Sequence, residues 1–371
     1  MTSLSTTFYK LLCVIRKELL VTLKDPKIRF ILLLPVIVQG MLFGYTASFN
    51  LDRVPYALLD QSHSSYSADF IARLEGSGIF QRVYTLSSTA QIASAIDSGD
   101  VIAVVTVNQD FANQITAGTT APVQVITDGR NPTTSGIAAG YISSIASAYS
   151  TELRGTPPAI EVVNRTWYNP NLITRWMFLP SLIPMLALTQ VMMLAGLSVA
   201  REREQGTFDQ LLVTPLQPYE ILIAKAIPPM IIGTIQATLV LLLTIFWFGI
   251  TPVGSIGTLY LTIFIFLLSS VGIGLSISAI SDSMQQIMVY CFVILLPMLL
   301  LSGLSTPIQN MPDILQYATY INPMRFAVES VRRIYLEGAG LNLIAINYIP
   351  MLIVASITLP LAATLFRKKL S

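Results

Sequence analysis

The sequence predicts an α-helical membrane protein with six transmembrane helices, an N-terminal interfacial helix, and an α/β extracytoplasmic domain between helices 1 and 2. Three observations carry this prediction. The 371 residues are 53% hydrophobic and 11% charged, where soluble domains carry about 25% charged residues. No Asp, Glu, Lys or Arg occurs in 30–51, 176–200, 226–281, 283–312 or 338–366, and a span needs roughly 20 apolar residues. Between the first two of these windows, residues 50–175 hold ten acids and seven arginines, with no lysine.

The elements follow in order. In 1–27, Phe8, Leu11, Leu12, Ile15, Leu19 and Leu23 recur at helical spacing, while Lys10, Arg16, Lys17 and Lys24 fill the other face. Asp25-Pro26 ends the pattern. Such a helix lies in the cytoplasmic interface with membrane lipid as its partner, the plain alternative being a solvated lead-in. Residues 28–49 form transmembrane helix 1. Twenty-nine residues precede this apolar stretch and no A-x-A-like site follows, so it reads as a retained helix and not a cleaved leader.

In 50–175, β-type runs at 54–59, 101–107 and 123–127 alternate with helical stretches at 64–74, 89–97, 109–117 and 132–153, the pattern of an α/β module. Residues 176–371 hold helices 2 to 6, at 176–200, 227–248, 257–280, 284–304 and 343–366. The uncharged window 226–281 is too long for one span, and Gly249, Thr251, Pro252, Gly254 and Gly257 break it in two. All seven lysines then fall on one side of the membrane with both termini, which the positive-inside rule makes cytoplasmic. Arg325, Arg332 and Arg333 run against that rule.

Several chemistries are excluded. No G-x-x-x-x-G-K-[ST] phosphate loop occurs, so the chain has no ATPase site of that kind and no catalytic set. The six spans contain no ionisable acid or base of the kind an ion-coupled carrier needs. Cys13 and Cys291 sit too far apart in the topology to imply a disulfide, and one histidine, His63, builds no metal site. No nucleic-acid partner is expected.

The stretch from Arg201 through Glu202, Arg203, Glu204, Gly206, Thr207, Asp209, Leu211 and Leu212 to Pro215, with Pro218, Glu220 and Lys225 beyond, resembles the RERExGTxxxLLxTPxxPxExxxxK signature of ABC-2 type transporter permeases. The large outer domain places the resemblance in the branch similar to bacterial multidrug efflux permeases. It implies a coupling helix at 201–215 that enters a groove on a cytoplasmic ABC ATPase subunit, through Glu202, Arg203, Glu204, Gly206, Thr207, Asp209, Leu211 and Leu212.

Arg16, Lys17, Glu18, Asp25 and Pro26 look like the family's interfacial helix. Arg165-Thr166-Trp167-Tyr168-Asn169-Pro170, followed by Phe178-Leu179-Pro180, resembles its entry to the second span. Ser302, Gly303, Pro307, Pro312, Asn322 and Pro323 resemble its outer re-entrant segment, here 305–342. The resemblance further implies a second copy or close paralogue, with ATP and Mg bound on the ATPase and none on this chain. A bacterial inner-membrane location follows, and a periplasmic adaptor with an outer-membrane channel is an optional extension. The implied function is export of a small amphiphilic or drug-like substrate. A lipid-linked glycan exporter and a membrane receptor or scaffold with a ligand-binding outer domain stand as alternatives.

Overall fold

The computed structural model describes residues 2–24, 26–46, 51, 53–155, 168–169, 173–204, 206 and 217–370. The chain divides into two compact units, Ser48–Arg165 and the remainder, Met1–Ala47 with Thr166–Ser371.

In the Ser48–Arg165 unit, strands β1 (Val54–Asp60), β2 (Phe80–Thr85), β3 (Ala103–Val107) and β4 (Val123–Thr127) form one sheet of order β2-β1-β3-β4. The β1–β2 and β1–β3 pairs are parallel and β3–β4 is antiparallel. Alternate residues of β1 face opposite layers. Val54, Tyr56 and Leu58 join Phe70, Phe111, Ile142 and Tyr149 in one core, while Ala57 and Leu59 join Ile92, Ala95 and Val104 in another. Helices α3 (Ser65–Gly76), α5 (Phe111–Thr116) and α6 (Pro132–Arg154) therefore cover one face, and α4 (Gln91–Asp97) the other.

Local chemistry fixes these helix ends. Ser64 accepts from the Ser67 backbone N–H while Ser67 Oγ accepts from that of Ser64, a reciprocal cap on α3. Strand β2 was absent from the sequence expectation. It is an edge strand with only Phe80 buried, so it lacks the alternation that marks a half-buried strand.

The other unit is a helical bundle. Helices α1 (Thr2–Lys24) and α2 (Pro26–Thr46) precede the Ser48–Arg165 unit in sequence, and α7 (Thr174–Glu204), α8 (Pro218–Leu242, extended by a π turn Leu243–Trp247), α9 (Ile256–Ile280), α10 (Met284–Leu300) and α13 (Leu341–Leu370) follow it. Between α10 and α13 lie a 3-10 turn (Ile308–Asn310), α11 (Asp313–Ala318), a second 3-10 turn (Thr319–Ile321) and α12 (Pro323–Arg332) with its π turn Arg333–Glu337. Among the described residues four stretches are long and apolar enough to cross a membrane, Thr174–Glu202, Tyr219–Trp247, Ile256–Ile280 and Leu341–Arg367, and Leu33–Tyr45 and Met284–Leu300 are shorter apolar helices. The protein is thus a helical membrane protein.

Helix α9 is the centre of the bundle, packed on α7, α8 and α13. Its small residues serve that packing. A Cβ on Gly274 would lie 2.8 Å from the Met192 carbonyl oxygen and 2.9 Å from Ala195 Cβ. Ser278 Oγ donates to Gly196 O at 2.5 Å and Ser276 Oγ to Thr358 O at 2.9 Å, so small side chains let α7 and α13 approach closely.

Candidate functional site

The signature residues converge at the ends of α7 and α8. Arg201 to Glu204 are the last turn of α7, continuous with the span, and not the start of a separate helix. Gly206 follows with φ +67, the left-handed conformation that ends helices and that glycine adopts without strain. Thr207, Asp209, Leu211 and Leu212 lie outside the described residues, as does Asp25. Helix α8 restarts at Pro218, a residue suited to the first helical turn. There the buried Glu220 accepts the Gln217 N–H at 2.8 Å and satisfies one of the donors a helix start leaves open.

Below these caps the charges interlock. Lys225 on α8, with 1% of its side chain exposed, donates to Glu202 Oε2 at 2.5 Å. The other oxygen of Glu202 accepts from Lys17 of α1 at 3.1 Å, and Glu18 Oε1 lies 3.6 Å from Lys17 Nζ and 3.7 Å from Lys225 Nζ. Two ammonium groups and two carboxylates from three helices thus form one cluster. Burial works against the Lys17 ammonium, but the hydrogen bond and charge of Glu202, helped by Glu18, outweigh it and raise the lysine above its usual range. Glu204 reaches in another direction, where its Oε1 accepts the Met284 N–H at 2.9 Å at the start of α10. Arg16 is exposed on α1 and Pro26 opens α2.

The cluster ties the end of α7 and the start of α8 to α1, and Glu204 ties the end of α7 to the start of α10. Sequence reasoning named Glu202 and Lys17 separately, one for docking and one for lipid, and missed their pairing. Lys225, the lone charge of the stretch 221–281, was the available signal, because buried charges are paired.

The 302–323 residues form a second constellation at the other end of α10. Ser302 Oγ donates to Leu299 O at 2.6 Å. Pro307 precedes the first 3-10 turn and Pro312 precedes α11. Asn322 caps α12 by accepting the Met324 N–H at 3.0 Å, and its Nδ2 donates to Met298 O at 2.7 Å. Pro323 occupies the first turn of α12. Arg332, which the charge rule left unexplained, donates to Ser181 Oγ at 2.8 Å, Gly303 O at 2.9 Å and Leu304 O at 3.1 Å. Its guanidinium therefore spends itself on backbone carbonyls and a hydroxyl, binding the turn after α10 to α7. Arg325 stacks 4.3 Å over the Tyr320 ring and Arg333 pairs with Glu337 at 3.1 Å, so all three exceptional arginines have partners within the fold.

Comparison with known proteins bears on this arrangement. Residues 27–364 match the family model described as ABC-2 family transporter protein. The chain is similar to the Escherichia coli K12 protein named probable multidrug ABC transporter permease YbhR, 40% identical over 365 residues that cover 98% of this chain and 99% of that one. It is also similar to probable multidrug ABC transporter permease YbhS of the same organism, at 30% identity with 88% of each chain covered. The inner membrane transport permease YhhJ, again from E. coli K12, is 26% identical over 86% of each chain. The chain belongs to the ABC-2 transporter family, as a permease subunit that has no ATPase site of its own and works with a separate ATPase partner.

Proposed function

We propose that this chain is the permease of an ATP-driven exporter in a bacterial inner membrane, that it crosses the membrane six times with both termini in the cytoplasm, and that its Ser48–Arg165 unit lies outside. Two copies, or one copy and a close paralogue, would join two cytoplasmic ATPase subunits that bind ATP and Mg. Two apolar helices complete the six. At 1.5 Å per residue, α2 with 21 residues and α10 with 17 residues are about 31 and 26 Å long, against a hydrocarbon core of about 30 Å.

The observation that carries the reading is the cluster of Lys17, Glu18, Glu202 and Lys225 at the base of the segment matching the family's coupling element. ATP-driven movement of the partner would push on 205–216, with Thr207, Asp209, Leu211 and Leu212 as contacts. The cluster would then pass that movement to α1, α7 and α8 together. The multidrug names of the relatives support a small amphiphilic cargo, and a periplasmic adaptor with an outer-membrane channel would extend the route.

The topology is tested with single cysteines in a background carrying Cys13→Ser and Cys291→Ser. Ser62→Cys and Thr119→Cys should react with impermeant thiol reagents once the outer membrane is permeabilised. Gln205→Cys should react only after the inner membrane is opened. Labelling of Gln205→Cys from outside contradicts the arrangement.

A further inference from the structure

The Ser48–Arg165 unit contains a cavity of about 600 Å³ beside the carboxyl ends of the parallel strands β1 and β2, bounded on its other side by α3. The cavity lies at the carboxyl ends of the parallel strands, the side of an open α/β sheet on which ligands bind, between β1 and β2 and not at the β1/β3 switch point, and the volume is that of a small-molecule site. Its floor is apolar, with Leu58 and Ile71 from β1 and α3. Its ionisable groups, apart from His63, are Asp60, Glu75 and Arg82, so two carboxylates against one guanidinium leave one net negative charge.

The pairing within the cavity decides which charge is available. Arg82 Nε lies 2.8 Å from Glu75 Oε1 and its Nη2 is 3.2 Å from Glu75 Oε2, while Tyr56 Oη also donates to Glu75 at 2.8 Å. Arg82 is therefore committed to Glu75. Among the described residues Asp60 accepts from neutral donors, namely the Ser62 N–H at 3.0 Å, the His63 N–H at 3.2 Å and Ser67 Oγ at 2.9 Å. Among the described residues no cation pairs with it. The same contact to Asp60 holds His63 at φ +48, an uncommon conformation for a residue with a side chain, and its imidazole lines the cavity.

We propose that this cavity binds a small amphiphilic organic cation, with the positive charge at Asp60 and the hydrocarbon or aromatic body on Leu58, Ile71 and the His63 ring. An unpaired carboxylate above an apolar floor favours a ligand that carries both features. The proposal deepens the amphiphilic cargo of the function proposed above and rests on that reading for its physiological meaning. The binding itself does not depend on transport.

The test uses the purified full chain in lipid nanodiscs, titrated with ethidium as the probe cation and followed by fluorescence anisotropy, with the anion fluorescein as the comparison. The expected result is saturable ethidium binding that Asp60→Asn weakens about tenfold, the loss of one charge-assisted contact. Ala72→Trp, at an exposed α3 position lining the cavity, fills the space without touching the core and should weaken binding at least as much. Both variants should keep the thermal transition of the parent chain. Unchanged ethidium affinity in Ala72→Trp, or a preference for fluorescein, overturns the proposal. Because the binding assay contains no ATPase, its outcome does not depend on export: failure of export in the complex reconstituted with its ATPase, alongside intact cavity-dependent binding, counts against the exporter reading alone, and the cavity assignment stands.

Discussion

Lys225 is 1% exposed and touches two carboxylates from two other helices. Removing it alone leaves Glu202 and Glu18 to share Lys17, two carboxylates against one ammonium in a site built for four charges. The variant Lys225→Met should therefore lose stability, by up to about 3 kcal/mol because Lys17 still compensates part of the buried charge, read as a lower melting temperature of the purified chain. The pair Glu202→Gln with Lys225→Met removes both sides and should recover most of that loss, while partner-driven transport stays impaired. Equal transport in the pair and the parent would make the cluster a packing device only.

Surface charges of the Ser48–Arg165 unit give a pH dependence. The Arg130 hydrogen bonds hold the Asp128 carboxyl below its ordinary range, and Arg73 does the same for Glu152. A depressed carboxylate supplies stability that is present above its unfolded value, about 4, and lost as pH falls through the folded value. The melting temperature of this unit should be flat from about pH 7 to 5 and fall below about 4. Arg73→Ala with Arg130→Ala should shallow that fall.

At the scale of elements, glycines of one kind in the sequence have opposite roles. Gly274 in α9 faces the Met192 carbonyl at 2.8 Å, so Gly274→Val should overpack the α7–α9 contact and cost about 1–3 kcal/mol. Gly140 in α6 has nothing within 4 Å of the place a Cβ would take, and Gly140→Ala should stabilise its helix by up to about 1 kcal/mol. Thermal melts of the two variants separate these cases.

The elements also show what was legible. Helix α9 was read to within one residue at its start, because a long uncharged window bounded by Gly-Pro punctuation leaves few alternatives. Strands β3 and β4 were readable because β-branched runs mark them, β1 because a short apolar run marks it, and β2 was not, because one buried residue leaves no period. The pairing of Glu202 with Lys17, 185 residues apart, is a tertiary fact that no local pattern encodes. Arg332 is similar. Its charge sign was visible, but the carbonyls that hold it belong to the turn after α10 and the hydroxyl to α7, 151 residues away.

At the scale of the whole molecule, the chain is an apolar helical bundle with a separately packed α/β unit inserted after α2. The bundle presents apolar side chains outward, such as Phe292 and Val293 on α10 and Ile353 and Ile357 on α13, as a lipid-embedded surface requires. Four of its charged residues, Lys17, Glu18, Glu202 and Lys225, gather where α1, α7 and α8 meet, next to the segment that matches the family's coupling signature. In the function proposed above, this segment receives the work of a separate ATPase. The direct measurement is the ATPase activity of the partner subunit, purified and reconstituted with this chain or with a variant in which 207–214 is replaced by alternating Gly and Ser. The native chain should co-purify with the ATPase and stimulate its ATP hydrolysis, and the replacement should abolish both while leaving the chain folded in the membrane. Association and stimulation that survive the replacement would contradict that function.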